Sequence, residues 1–323
     1  MSIALFDEIR IYYGSDKLIT IFRDLVNNNS MEAVKSINQK SLQFPSLFAL
    51  YPEVKNSGLE NQLNTRNKYA CDFISKGLYE EELDSERILS DNSEDNFNTI
   101  RWILESGYSS DGMGEEYDQI IDTSAIVLCR LYNDKSCLRI IEDLIFDRYR
   151  KGAYIYDLTW AFFESIGPQN LHTLANRLRS ANPKDVELAR RFLNFIPDMN
   201  SREEDSKKLY QSAIKWINSN LNFLFYTGTT NNQTTNPERY ALSLEAKYLQ
   251  KPANMVREGQ SRTLKKEEAE YLDNFSKLEE ETKILLSKCS DSLFRFNRNK
   301  WSKWLQSPIK KQIEVARRVV DLK

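Results

Sequence analysis

The chain has 323 residues, is 41% hydrophobic and 28% charged, and contains only 10 Gly and 8 Pro, too few turn formers for a many-stranded β fold; the expected class is all-α. A formal net charge of -2 excludes a chain-wide electrostatic pull toward nucleic acid or an anionic membrane. No run approaches the ~20 apolar residues of a membrane span, and the start MSIALFDEIRIYYG carries acids where a signal peptide needs bases. A cytoplasmic setting is therefore expected, with Cys71, Cys129, Cys137 and Cys289 as reduced, buried thiols because none has CxxC spacing.

In chain order, Leu18, Ile19, Phe22, Leu25 and Val26 recur at helical spacing, and Asn27 to Ser30 ends that segment. Phe44-Pro45 and Tyr51-Pro52 predict a bent, partly irregular connection. A helix is expected over 63–78, closing near Gly77, and another carries Phe97, Ile100, Ile103 and Leu104 on one face. The turn-rich stretch from Gly107 to Gly114 predicts a break between an N-terminal helical region, 1–110, and a central region, 111–200.

The central region reads as five short helices. Their apolar faces are Ile121, Ala125, Leu128 and Leu131; then Leu138, Ile141, Leu144 and Ile145; then Leu158, Ala161, Phe162 and Ile166. Leu171, Leu174, Ala175 and Leu178 give the fourth face, and Val186, Ala189, Leu193 and Ile196 the fifth. Gly167 is placed as a left-handed helix stop with Pro168 opening the next turn, and Asn182 as an N-cap with Pro183 behind it and Asp185 in the positive first turn.

The pattern Ala161…Ile166-Gly167…Leu171…Leu174…Leu178, followed by Asn182-Pro183…Val186…Ala189…Leu193, resembles HEAT-like repeats, the paired-helix units of α-solenoids. The resemblance covers about 80 of 323 residues, with Ala125, Ala161 and Ala189 in comparable places, 36 and 28 residues apart. It implies helix pairs that complete one another's apolar faces, and an extended surface suited to holding a protein.

The remainder, 201–323, is expected to be helical, with a helix over 203–225 and a mobile polar loop at 227–237, where no side chain is apolar or charged. A helix over 238–250, a long helix over 264–289 with a heptad-like seam (Tyr271, Phe275, Leu278, Thr282, Leu285, Cys289) and a last helix over 309–320 complete the expectation.

The parts of common catalytic sites are missing. His172 is the only histidine, which excludes multi-histidine metal sites, and no phosphate-binding glycine loop is present. The acidic loop from Asp111 to Asp118 fails the EF-hand rhythm at Met113 and Glu115. No catalytic residue, metal or cofactor is assigned, and a non-enzymatic scaffold, adaptor or structural subunit is the expected function.

Arg177 and Arg179, the acidic residues Asp111, Glu115 and Glu116, and the basic aromatic group Arg298, Lys300, Trp301 and Trp304 are the expected partner contacts. From Glu80 to Asp122 there are 14 acidic residues against Arg87 and Arg101, a balance of -12, while Arg295 to Lys323 carries +7. Such opposed blocks match the sequence to protein partners or to self-association. The alternative is a nucleic-acid-binding or DNA-repair protein, since the bases around Trp301 and Trp304 have the chemistry to neutralise phosphates while rings stack on unpaired bases.

Overall fold

The computed structural model describes residues 4–79, 94–201, 205–230, 233–234, 236–257 and 264–320. The described residues are mostly helical, and the chain divides into two compact units, Met1–Ser165 and Ile166–Lys323. The division falls inside the stretch that resembles HEAT-like repeats, between its first and second helices.

The first unit holds eight described helices: α1 (Leu5–Tyr13), α2 (Ser15–Ile37), α3 (Phe44–Asn56), α4 (Thr65–Tyr79), α5 (Glu94–Gly107), α6 (Glu115–Arg130), α7 (Leu138–Lys151) and α8 (Tyr156–Ser165). The asparagine run does break α2: Asn29 has φ -157 and ψ 75, and its side chain accepts from the Glu32 amide to start the next helical piece. The expected irregular connection is a 13-residue helix instead, because Pro45 sits in its first turn and only Pro52 lies inside, on an exposed side.

Carbonyls at and just beyond the end of α2 find partners on α4. Arg66 donates to the Lys40 carbonyl at 2.9 Å and the Gln39 carbonyl at 3.2 Å, and buried Asn67 donates to the Ile37 carbonyl at 2.7 Å. The Arg66 guanidinium also lies 4.1 Å from the Trp102 ring centroid, joining α4 to α5. α6 packs against α4, α5 and α8, and α8 also meets α7. On α6, Ile120, Ile121, Ala125 and Leu128 are fully buried, each large side chain contributing about 2 kcal/mol by leaving water.

The second unit contains α9 (Leu171–Arg177), α10 (Pro183–Phe192), α11 (Ser206–Asn220), the strands β1 (Leu224–Tyr226) and β2 (Tyr240–Leu242), then α12 (Leu244–Leu249), α13 (Ala253–Arg257), α14 (Lys266–Ser276), α15 (Glu280–Phe296), α16 (Arg298–Leu305) and α17 (Ile309–Val320). The two strands correct the helices expected over 203–225 and 238–250. They pair antiparallel in the register Leu224↔Leu242, Phe225↔Ala241 and Tyr226↔Tyr240. Thr227 extends the ladder to the Arg239 carbonyl at 3.0 Å, and Arg239, 4% exposed, donates to the Thr229 carbonyl. Parts of the 227–237 loop are thus tied to the strand ends; residues 231, 232 and 235 lie outside the described ones.

The expected long helix over 264–289 is two helices, interrupted at Lys277–Glu279. The seam nevertheless packs inward: Phe275 and Cys289 are buried, and Tyr271, Leu278 and Leu285 lie against the same cluster. Its centre is Tyr248, stacked on Phe275 at 4.4 Å and edge-on to Trp304 at 6.0 Å, with its hydroxyl donating to Gln312 at 2.8 Å.

Gly167 has φ -86 and ψ 160, extended rather than left-handed, so it does not end α8 as expected. The left-handed stop lies one helix earlier, at Gly152 (φ 73), where the Ala153 amide closes onto the Arg148 carbonyl. Asn182 behaves as expected, accepting from the Lys184 amide at 3.0 Å with Pro183 behind it. Asn182→Ala is expected to lower the stability of the second unit by about 1 kcal/mol in a urea melt, with Asn182→Asp close to neutral.

Candidate functional site

The acidic loop expected to meet partners is partly an internal brace. Arg148, in the last turn of α7, is 3% exposed and reaches back to the segment before α6. Its Nη2 donates to Asp111 Oδ1 at 2.6 Å and its Nε lies 3.0 and 3.1 Å from the two Asp111 oxygens. Nη1 donates to Asp122 Oδ2 at 2.8 Å. Asp122 Oδ1 sits 2.8 Å from Nη2 but accepts no aligned hydrogen bond. One turn earlier on α6, Asp118 accepts from the Gly112 amide at 2.7 Å and so fixes the loop.

This is a desolvated cluster of three carboxylates and one guanidinium. Burial lifts the Asp122 carboxyl to about 6, against the pull of Arg148, and also raises Asp118. Burial works against the charge of Arg148, yet Asp111 and Asp122 hold it more firmly protonated than an ordinary arginine. Asp111 therefore faces inward, with 6% of its side chain exposed, while Glu115 and Glu116 are exposed in the first turn of α6. Of the -12 block, residues 80–93 lie outside the described ones.

The basic aromatic segment splits by side. Trp301 is half-buried and donates to Ser290 at 2.8 Å; Trp304 is 6% exposed and donates to the Gln312 carbonyl at 3.2 Å. Phe294 meets Trp301 edge-on at 5.0 Å. Both indoles are thus committed to the packing of α16 against α15 and α17, whereas Arg298 and Lys300 stand exposed, Arg298 at 4.9 Å from the Phe294 ring. Stacking on unpaired bases needs free ring faces; Trp304 is turned inward, and Trp301 keeps part of its ring exposed.

Arg177 is half-buried at the end of α9, and Arg179 is exposed with its guanidinium 5.1 Å from the Tyr210 ring of α11. His172 bridges the Gln169 carbonyl (3.1 Å) and the Asn218 side chain (2.7 Å), a joint between α9 and α11. An open cleft of 490 Å³ in the second unit is lined by Val186, Glu187, Arg190, Arg191, Asn194 and Met199, among others. Arg190 is held there by the Met199 and Ser201 carbonyls. Among the described residues no group of three His, Cys, Asp or Glu converges to hold a metal ion, and no helix is long and apolar enough to cross a membrane.

Sequence reasoning missed an exposed apolar surface on α1. On α1, Tyr12 is 76% exposed, Tyr13 72%, Ile11 54% and Leu5 53%, while Phe6 is 1% exposed and edge-on to Phe22. Leu5, Ile9, Tyr12 and Tyr13 fall at i, i+4, i+7 and i+8, one helical stripe with Ile9 half-buried. The signal was legible: LFDEIRIYY carries apolar residues on two sides of a nine-residue helix, and only one side has a described element to pack on.

Asp111, Glu115 and Glu116 belong to the first unit, as does the α1 stripe; Arg177, Arg179 and the α16 group belong to the second. No family model, curated protein or solved structure matches this chain.

Proposed function

We propose that the chain is a non-enzymatic, protein-binding scaffold built from HEAT-like paired helices, which holds its partner at the α1 stripe. The exposed Tyr12-Tyr13 face carries the reading. Tyrosines that are anchored at the backbone of a short helix and free at their rings offer large contact area at low entropic cost, the chemistry of interface anchors. The paired-helix part draws support from Ala125, Ala161 and Ala189, all fully buried, and from the close packing of α6 on α8. Arg298 and Lys300 on α16, with Glu115 and Glu116 on α6, supply charges of opposite sign for steering a partner or a second copy.

The test is a comparison of two baits in extract of the native cell, with retained proteins quantified. Tyr12→Ala/Tyr13→Ala removes side chains that are largely in water, so stability is expected to stay within about 0.5 kcal/mol. Recovery of the bound partner is expected to fall at least about tenfold, the effect of losing an interface anchor. Equal recovery on both baits, or no specific recovery on either, overturns the reading. Micromolar binding to single-stranded DNA at 50 mM salt, falling steeply as salt rises, replaces it with the nucleic-acid alternative.

A further inference from the structure

Two of the four cysteines touch. Cys129 lies in the last turn of α6 and Cys137 closes the short 3-10 turn before α7; their sulfurs are 3.6 Å apart. The two residues are eight positions apart in sequence, and the chain between them is fixed rather than slack. Asn133 takes a left-handed φ of 50°, the Asp134 amide donates to the Leu128 carbonyl at 2.9 Å, and the Asp134 carboxylate accepts from the Ser136 amide at 2.9 Å. This turn presents one sulfur to the other, with the Cys137 thiol also within 2.9 Å of the Asp134 carbonyl.

We propose that Cys129 and Cys137 are a disulfide-forming pair, a reversible covalent latch across the α6–α7 connection that is closed by a glutathione-type disulfide. The sulfurs must approach by about 1.5 Å to reach the ~2.05 Å of a disulfide, a distance that side-chain rotation supplies when the Cα atoms already suit. A proton shared between the two thiols eases the first deprotonation and opposes the second, which places Cys129 below the ordinary thiol range and Cys137 above it.

In the first step the Cys129 thiolate attacks one sulfur of the small disulfide, forming a mixed disulfide and expelling one thiolate. Cys137 then gives up its proton, attacks the Cys129 Sγ and expels the second thiolate. Two protein thiols and one small disulfide become one protein disulfide and two small thiols, so two electrons leave the protein and the small disulfide is reduced. Both cysteines are 3% exposed, so the exchange runs through local opening of the 131–136 turn and is slow. Cys71 and Cys289 serve as internal controls: burial pushes their thiols up to about 12 and about 11, where thiolate is scarce at neutral pH.

The full chain is equilibrated in buffers of stepped glutathione-disulfide to glutathione ratio, quenched in acid, and read by intact mass and peptide mapping. The expected product is lighter by two hydrogens, carries a Cys129–Cys137 cross-link, and reverts on dithiothreitol. Its melting temperature is expected to rise by about 5 °C, because a short loop is closed in the unfolded chain. Cys71→Ser/Cys289→Ser retains the cross-link, and Cys137→Ala leaves Cys129 as a mixed disulfide or unmodified. A native chain that keeps all four thiols at the most oxidising ratio, or cross-links that involve Cys71 or Cys289 instead, overturns the proposal.

Discussion

Replacing Arg148 with methionine is expected to cost the first unit about 3–5 kcal/mol at pH 7.5, the largest effect of any single substitution considered for this chain. Methionine fills much of the same volume, so the loss reports charge rather than a hole. The variant leaves Asp111 and Asp122 buried without the guanidinium that both now contact. The sign of the pH dependence follows from the direction of the Asp122 shift. Its carboxyl is raised in the folded state to about 6, so the folded chain holds that proton more tightly than the unfolded one. Its contribution is therefore most favourable below about pH 4 and declines as pH rises through 6.

Without Arg148 the same carboxyl rises further, and the penalty for charging it grows. The deficit of Arg148→Met relative to wild type should accordingly shrink on going from pH 7.5 to pH 5, where protonation relieves the orphaned Asp122 carboxylate. Urea unfolding of both proteins at the two pH values measures it. A deficit below about 1 kcal/mol at pH 7.5 would show that water already solvates the cluster and that the brace contributes little.

A single methyl group at Gly107 is expected to cost about 2 kcal/mol. Gly107 is buried at the end of α5 where α3 and α6 converge; a Cβ there would lie 2.7 Å from Ile121 Cδ1, 2.9 Å from the Tyr117 hydroxyl and 3.1 Å from Phe44 Cδ1. The two aromatic neighbours are held in place. Tyr117 donates to the Gly107 carbonyl at 2.7 Å and stacks on Phe44 at 5.7 Å; Phe44 in turn meets Trp102 edge-on. The gain in helix propensity from Gly to Ala, at most about 1 kcal/mol, does not offset the clash. Ile121→Val removes the nearest atom, so the double variant Gly107→Ala/Ile121→Val should recover part of the loss that Gly107→Ala suffers alone. Additive losses in the double variant would place the cost somewhere other than this contact.

Local signals were legible in the sequence wherever the structure satisfies them locally. The apolar faces over 121–196 are buried almost as spaced, and Asn182-Pro183 caps α10, because cap, turn and face are set by residues within one helical turn of each other. The last helix, Ile309–Val320, has the expected bounds for the same reason. What escaped depends on partners distant in sequence. Asp111 reads as a surface acid until Arg148, 37 positions on, is seen to cover it. Trp301 and Trp304 read as a stacking platform until Ser290 and Gln312 take their indole N–H groups. The β hairpin has strands of three residues each, too short for an alternation to register, and a heptad seam cannot reveal a helix break that preserves its phase, as at Lys277–Glu279.

The buried Tyr240 hydroxyl donates to the Ile166 carbonyl at 2.6 Å, joining the first residue of the second unit to a strand 74 positions later. A ribosome making this chain therefore releases the first unit with all its internal contacts already encoded, while the opening of the second unit must wait for its clasp. At typical elongation rates of about 5–20 residues per second, that delay lasts roughly 4 to 15 seconds. During it, the Ile166 carbonyl lacks the buried hydroxyl that satisfies it in the finished fold, so the opening of the second unit completes its hydrogen bonding only after the later strand has been made.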